Sequence, residues 1–256
     1  MKKNSTILEI DDLSVSFDGV KAVKDISTAI GEHEIRFFTG PDGAGKTTVL
    51  DAISGRNKPS RGRIIYKNKY DLLKMPAFRV AELGIARTFQ SSSVFNGVTV
   101  HENMEISAIG SHSLHTSIFE KLSKASNDRI QQVLDLAGLY GKQFEYPSAL
   151  SSGEKQCLEI GMLIVPNPGL LLLDEPAAGM ERGEEEKIIE LLRKIRSECS
   201  VIVAENDLRF VFAVADSITV FYEGEILDEG STEKIGKNPR VIEVCQDEKS
   251  NGCSAT

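Results

Sequence analysis

The alternation of apolar and polar residues along the chain predicts a mixture of strands and helices. Residues 7–17 and 21–30 alternate with a period of two, which is typical of half-buried strands, and Asp18-Gly19 supplies a turn between them. Continuous apolar runs at 170–173 and 200–204 instead predict strands that are buried on both faces. Helices are predicted at 47–53, 100–109, 127–139 and 184–196, further strands at 34–39 and 61–66, and a hairpin at 218–222 and 225–228.

The order of these elements predicts an α/β core that a helical segment interrupts. The first third of the chain mixes short strands around one strand–loop–helix unit. From about Gln90 to Ala149 the apolar spacing is helical, with connections rich in serine, asparagine and glycine, and the α/β pattern then returns. The polar residues from Gln246 to Thr256 are expected to form a loose tail.

Composition narrows the classes of function. The 256 residues suffice for one large α/β domain or two small ones, and the net charge of −8 disfavours a nucleic-acid partner. No apolar stretch approaches the ~20 residues of a membrane-spanning helix, and no secretory signal is evident, so a cytoplasmic location is expected. The scattered cysteines predict reduced thiols, and His112 and His115 predict a loop rather than a metal site.

A complete phosphate-binding-loop motif lies between a predicted strand and a predicted helix. The run fits the spacing G-x-x-x-x-G-K-[ST] and reads Gly40-Pro41-Asp42-Gly43-Ala44-Gly45-Lys46-Thr47-Thr48. Glycines let backbone N–H groups face phosphate oxygens, and the helix N-terminus adds partial positive charge. Lys46 is predicted to reach the β- and γ-phosphates, and the Thr47 hydroxyl to ligate Mg²⁺. The alternative is an ordinary glycine-rich turn between a strand and a helix. Such a turn would not require Lys-Thr-Thr in register after the glycines, so the sequence predicts binding of a nucleoside triphosphate.

A second apolar strand ends in two carboxylates. The leucines at 170–173 are followed by Asp174, Glu175 and Pro176. In a phosphate-loop ATPase, Asp174 would hold Mg²⁺ directly or through water, and Glu175 would polarise the attacking water as a general base. A solvated strand end is the alternative, but the phosphate loop favours the catalytic interpretation.

A third segment, Leu150-Ser151-Ser152-Gly153-Glu154-Lys155-Gln156, is predicted to open a helix with Ser151 as its N-cap. On its own, the segment would be interpreted as a simple helix cap. Its position between the phosphate loop and the Asp-Glu strand makes the chain resemble the ATP-binding cassette (ABC) ATPases, whose signature is Leu-Ser-Gly-Gly-Gln. Ser152 and Glu154 depart mildly from that signature, and the resemblance covers nearly the whole chain.

The resemblance implies roles for further residues. Gln90 follows Phe89 as the Q-loop glutamine of the family does, which implies a part in catalysis and at the metal. Phe17 looks like the aromatic residue that stacks on adenine, and residues 178–180 occupy the D-loop position. Two ATPases of the family face head to tail and clamp ATP between the phosphate loop of one and the signature residues of the other. Ser151, Ser152, Gly153 and Glu154 would therefore act in trans, and an isolated chain would hydrolyse ATP poorly.

The fold that the resemblance implies is α/β. It is a P-loop NTPase of the ABC ATPase type, with a RecA-like core, an antiparallel β subdomain and a helical subdomain at about residues 91–150. A single ABC ATPase domain would cover residues 1–245, and residues 246–256 would form the polar tail. ATP and Mg²⁺ are the cofactors that this fold implies.

One position breaks the family pattern. The strand after the Asp-Glu strand usually ends in Glu-His-Asp, and the histidine acts as the γ-phosphate switch. This chain reads Glu205-Asn206-Asp207. The Asn206 amide can donate a hydrogen bond but cannot carry a positive charge. We therefore expect slow or asymmetric hydrolysis here, with much of the turnover at a partner's site.

Within the family, residues 84–90, 158–163 and 174–180 look like importer ATPases of the branched-chain amino acid type, whereas residues 14–19 and 238–244 lean towards the urea and short-chain amide branch. The resemblance implies a cytoplasmic ATPase, peripheral at the inner face of the cell membrane. Its partners would be a second ATPase subunit, identical or different, and transmembrane permease subunits, with no nucleic acid. A solute-binding protein would act only through the permease.

The partly apolar segment Val94-Phe95-Asn96-Gly97 is predicted to dock on the membrane subunits because it follows Gln90. A buried core position for Phe95 is equally compatible with the sequence. Two other functions stay open. The chain could be a non-transport ABC ATPase that acts as a nucleotide-gated clamp or scaffold. It could also be a regulatory subunit that binds ATP and barely hydrolyses it, as Asn206 suggests.

Overall fold

The computed structural model describes residues 5–88, 93–110 and 123–244. In these ranges the strands are β1 Thr6–Phe17, β2 Val20–Gly31, β3 Ile35–Thr39, β4 Arg61–Tyr66, β5 Tyr70–Asp71, β6 Ile85–Arg87, β7 Leu170–Asp174, β8 Ser200–Ala204, β9 Ser217–Tyr222 and β10 Glu225–Gly230. The helices are α1 Lys46–Ile53, α2 Ala77–Glu82, α3 Val100–Gly110, α4 Lys124–Leu136, α5 Ser152–Ile164, α6 Arg182–Ile195, α7 Leu208–Val214 and α8 Thr232–Gly236.

A six-stranded sheet in the order β10-β9-β3-β8-β7-β6 forms the centre of the molecule. The strands from β9 to β6 run parallel, and β10 pairs antiparallel with β9. Every residue of β3 and β8 is buried, as expected for parallel strands that are covered on both faces. Because parallel strands end at one edge, the segments that follow β3, β7 and β8 meet there.

The central sheet separates two apolar cores. On one face, Leu170 and Leu172 of β7 pack with α1 and with an antiparallel sheet in the order β2-β1-β4-β5. On the other face, Leu171 and Leu173 pack with helices α3 to α6. The alternation along one strand therefore decides which side chains join each core.

Most of the predicted elements are confirmed, with corrections at their ends. The helix predicted at 127–139 is wrong at both ends. It begins at Lys124, because the Ser123 hydroxyl accepts a hydrogen bond from the Ser126 N–H at 3.1 Å. It ends at Leu136, because Gly138 turns the chain with a φ of +70°.

The strands predicted at 7–17 and 21–30 are confirmed as β1 and β2, which are 12 residues long each and pair along their length. The short elements α2, β6 and α7 have no counterpart in the sequence prediction. Within the described ranges, the structure contains no helix with the length and apolarity needed to span a membrane.

Arg36 of β3 links the two sheets. Its buried guanidinium donates to Glu34 Oε1 at 2.7 Å and lies 3.0 Å from the carboxylate of Glu229 on β10. It also donates to the carbonyl oxygen of Ala29 on β2 at 3.0 Å. One side chain therefore ties β2 of the antiparallel sheet to β3 and β10 of the central sheet.

We predict that Arg36→Met destabilises the fold by about 3 kcal/mol, the low end for a broken ion pair, because the partly buried carboxylates of Glu34 and Glu229 lose their cationic partner. Urea unfolding followed by circular dichroism measures the change. Arg63→Met is the matched control, since the Arg63–Asp11 ion pair is exposed and should leave the midpoint unchanged. Equal midpoints for both variants would contradict the structural role of Arg36.

Candidate nucleotide-binding site

The loop between β3 and α1 has the backbone of a phosphate cradle. Gly40, Gly43 and Gly45 have φ values of 133°, 75° and 107°, in the left-handed region that favours glycine. A Cβ on Gly40 would lie 2.0 Å from the carbonyl oxygen of Phe221, and one on Gly45 would lie 2.8 Å from that of Ala22. Both close approaches involve backbone atoms of other strands, so neither glycine can be replaced without moving the loop.

Lys46 folds back over this loop. Its buried ammonium donates to the carbonyl oxygens of Gly40 at 2.5 Å and Pro41 at 2.8 Å. Asp42 and Gly43 are exposed at the outer lip of the loop, Ala44 is buried beneath it, and Thr48 continues into α1. A positive charge therefore lies inside the cradle, where phosphate oxygens would enter.

Thr47 meets the carboxyl end of β7. Its hydroxyl donates to Asp174 Oδ1 at 3.0 Å. The second oxygen of Asp174 accepts from Arg87 Nη2 of β6 at 3.1 Å, and Arg87 Nη1 donates to Asp51 of α1 at 2.6 Å. A hydroxyl and a carboxylate oxygen thus converge, and a buried arginine orients the carboxylate. Sequence analysis missed Arg87, although a charged residue just before Gln90 in a short buried strand is a signal.

Glu175 lies at the same edge in an unusual backbone conformation. Its φ is +48°, and its N–H donates to the carbonyl oxygen of Ala204 on β8 at 2.9 Å. A left-handed residue other than glycine costs about 1–2 kcal/mol. Such strain is found where the surrounding structure holds a side chain for function. Here the side chain of Glu175 is exposed at the edge of the sheet.

The segment after β8 faces the phosphate loop. Asn206 Nδ2 donates to Asp42 Oδ1 at 2.6 Å, which joins residues 164 positions apart in the chain. The buried Glu205 carboxylate accepts from the N–H groups of Asn206 at 2.8 Å and Asp207 at 3.2 Å. Burial raises the pKa of Glu205, and the nearby charge of Glu175 also raises it. The amide of Asn206 is therefore held at the lip of the cradle.

The predicted N-cap Ser151 is confirmed. Its hydroxyl accepts from the Glu154 N–H at 3.3 Å, and the Glu154 carboxylate accepts from the Ser151 N–H at 3.1 Å, which forms a capping box at the start of α5. Burial raises the pKa of Glu154, but the hydrogen bonds from Lys142 and Ser151 outweigh it, so the pKa lies below its ordinary value. Ser152 is exposed beside this cap.

A carboxylate from α6 lies against the same helix start. Glu184 Oε2 accepts from the Ser151 hydroxyl at 2.5 Å and from the Gly153 N–H at 2.8 Å. The hydrogen bond from Ser151, together with that from Lys187, holds the pKa of Glu184 below its usual range. Sequence analysis missed this contact because nothing in the local pattern of α6 indicates it.

Phe17 ends β1 at the turn into β2 and is 48% exposed, so its ring is accessible. Gln90 lies outside the described residues.

A glycine-rich loop between strand and helix, a buried lysine in it and a carboxylate at the end of a parallel strand of the same sheet define a P-loop nucleoside triphosphatase. The family model described as ABC transporter matches residues 23–178. The branched-chain amino acid transport ATP-binding protein LivG of Salmonella typhimurium is 33% identical over 245 residues, covering 92% of this chain and 96% of LivG. BraF of Pseudomonas aeruginosa is 30% identical over 247 residues, covering 93% of this chain and 96% of BraF. The chain belongs to the ABC transporter family and is its ATP-hydrolysing component.

Solved structures agree with this assignment. The chain superposes with a TM-score of 0.83 and 25% identity on an ATP-binding cassette of an ABC transporter in its ADP conformation, covering 94% of this chain and 98% of that one. A cassette from Clostridium perfringens, which is part of an ABC transporter complex, gives a TM-score of 0.80 at 27% identity over 93% of both chains. The predicted α/β P-loop fold of the ABC ATPase type is therefore confirmed.

We predict that Ser151→Ala lowers the free energy of unfolding by about 1–2 kcal/mol, because the first turn of α5 loses its cap. Urea denaturation measures the change. Ser152→Ala is the control, since this neighbouring hydroxyl is exposed, and it should stay within about 0.5 kcal/mol of the wild type. An equal loss in both variants would show that the cap contributes nothing specific.

Proposed function

We propose that this chain powers the import of branched-chain amino acids, with urea or short-chain amides as the second candidate solute class. The similarity to LivG and BraF over more than nine-tenths of the chain carries the proposal. Residues 1–245 would act as one cassette with its helical subdomain at about 91–150, followed by the tail at 246–256. The cassette would be cytoplasmic and bound at the inner face of the cell membrane.

The phosphate loop binds the triphosphate of ATP. Its N–H groups and the N-terminus of α1 face the phosphates, and the Lys46 ammonium exchanges the carbonyls of Gly40 and Pro41 for β- and γ-phosphate oxygens. Phe17 stacks on the adenine ring, since it is accessible at the end of β1.

The convergence of Thr47 and Asp174 fits Mg²⁺, which prefers hydroxyl and carboxylate oxygens. These two residues and Gln90 would hold the ion, and Arg87 keeps the Asp174 carboxylate aimed at it. The ion neutralises charge on the phosphates when it is bound.

Hydrolysis requires a base and a group that positions the γ-phosphate. A water molecule attacks the γ-phosphorus, Glu175 takes its proton, and ADP is the leaving group. Asn206 donates a neutral hydrogen bond towards the γ-phosphate from its place beside Asp42. Because an amide adds no positive charge, we expect slower hydrolysis than with histidine.

Completion of the site requires a second ATPase, identical or different, placed head to tail. Ser151, Ser152, Gly153 and Glu154 of one subunit would face the ATP held by the other, with the partial positive charge of the α5 N-terminus directed at the γ-phosphate. Weak hydrolysis by an isolated chain follows from this arrangement.

The transmembrane permease would dock beside α2. A groove of about 640 Å³ lined by Ala81, Ile85, Leu163 and Pro166 lies there next to Phe78, which is 62% exposed. Phe95 is 50% exposed, which favours docking over a buried core position. A solute-binding protein would reach the ATPase only through the permease.

One experiment tests the catalytic roles and the alternative of a weakly hydrolysing regulatory subunit, which the Asn206 amide favours. Steady-state ATPase activity is measured for the wild type, Glu175→Gln and Asn206→His, with the permease complex assembled. We expect Glu175→Gln to lower turnover at least ~100-fold, the low end for a catalytic base. We expect Asn206→His to raise turnover several-fold. Activity unaffected by Glu175→Gln would refute catalysis at this site, and an unchanged Asn206→His rate would refute the role of Asn206.

The role of Arg87 gives a further prediction. Arg87→Lys keeps the charge but cannot bridge Asp51 and Asp174, because an ammonium lacks the two-pronged geometry of a guanidinium. We expect the Mg²⁺ concentration for half-maximal ATPase activity to rise about 10–100-fold. Arg56→Lys is the control, because Arg56 lies 3.7 Å from Asp51 and is largely exposed. An equal, small shift in both variants would contradict the prediction.

A further inference from the structure

The carboxylate of Glu184 in the same chain already binds at the N-terminus of α5. Glu184 Oε2 accepts hydrogen bonds from the Ser151 hydroxyl at 2.5 Å and the Gly153 N–H at 2.8 Å. First-turn N–H groups lack partners within their helix, and they favour negative charge. The carboxylate therefore satisfies the donors that the proposed function assigns to a phosphate of the ATP on the partner subunit.

Gly153 makes this contact possible. A Cβ at this position would lie 2.5 Å from Glu184 Oε2 and 2.9 Å from the Glu184 carbonyl oxygen. The absence of a side chain therefore lets α6 approach the helix start closely enough for the carboxylate to reach the N–H. Gly153 is buried against α6, so an incoming phosphate would reach its N–H only after the Glu184 carboxylate has left.

Lys187 contacts the same carboxylate through its other oxygen. Its ammonium lies 3.0 Å from Glu184 Oε1 and 3.2 Å from the Ser151 hydroxyl. It also lies 3.6 Å from Glu154 Oε1, and Lys142 lies 2.8 Å from the other oxygen of that residue. Because Glu184 and Lys187 lie three residues apart on α6, their ion pair is made within one helix and does not depend on α5.

We propose that Glu184 is a positioning residue that holds Ser151 and Gly153 in the separate subunit and competes with phosphate for them. This inference rests on the proposed head-to-tail pairing, in which these two residues receive the γ-phosphate from the partner. Two anions cannot share these donors, so closure around ATP requires Glu184 to leave. ATP-driven pairing is then weaker than it would be if Glu184 did not accept from the Ser151 hydroxyl and the Gly153 N–H.

The first test uses inorganic phosphate and the separate chain. Nuclear magnetic resonance follows the Gly153 amide signal while phosphate is added to the wild type, Glu184→Ala and Glu184→Gln. We expect half-saturation of this signal at a phosphate concentration at least ~10-fold lower in Glu184→Ala, corresponding to the loss of one competing charged acceptor. Glu184→Gln should fall between, because it keeps an acceptor and loses the charge. Glu186→Ala, on the exposed side of α6, is the matched control and should behave as the wild type.

A purely structural role for Glu184 would give the opposite result. Glu184→Ala would then loosen the first turn of α5, and phosphate would bind at Gly153 no more tightly than in the wild type. That outcome overturns the proposal. Glu184→Gln controls for a folding defect, because the glutamine amide can still cap the helix. If Glu184→Gln is folded and binds phosphate as the wild type does, that result also contradicts the proposal.

The second test separates this proposal from the proposed function. All chains carry Glu175→Gln to block hydrolysis, and sedimentation measures the ATP concentration at which pairing is half complete. We expect that concentration to be about tenfold lower with Glu184→Ala and unchanged with Glu186→Ala. Glu184→Ala could tighten phosphate binding at Gly153 while none of the chains pairs with itself. That result would support competition by Glu184 and refute pairing between identical chains. Pairing that is unaffected by Glu184→Ala overturns the inference.

Discussion

The close approach of the phosphate loop to two other strands is the constraint on which the site depends. Gly40 lies against the backbone of β9, and Gly45 lies against the backbone of β2, so the loop is fixed between the central and the antiparallel sheet. The cradle is therefore a property of the packed sheets rather than of the loop alone. The Arg36 contacts hold the same two sheets together from within β3.

The carboxylates at the strand edge differ in the groups that contact them. Arg87 bridges Asp174 and Asp51, which fixes the orientation of the Asp174 carboxylate. Burial instead raises the pKa of Glu205, which serves as an acceptor for the segment after β8. The two acids at this edge thus differ in their partners, because Asp174 contacts a guanidinium and Glu205 accepts from backbone N–H groups.

The motifs that are contiguous in sequence could be predicted, and the contacts between them could not. The phosphate loop, the strand that ends in Asp174 and the cap at Ser151 follow from local pattern and spacing, and the structure has them in place. The contacts of Arg87 with α1 and β7, and of Glu184 with α5, depend on which helix packs against which strand, and this requires the tertiary fold. The end of α4 was misjudged for a local reason, because the apolar pattern continues to Leu139 past the turn at Gly138.

Both halves of the proposed site satisfy their phosphate-facing donors internally. Lys46 donates to loop carbonyls, the Asn206 amide donates to Asp42, and Gly153 donates to Glu184. In the proposed function, ATP binding and pairing would therefore exchange hydrogen bonds instead of adding them, and an exchange has a small net free energy even when each bond is strong. A transport motor that must close on ATP and reopen after hydrolysis needs a small difference of this kind. Donors without internal partners would favour the closed state and slow its release.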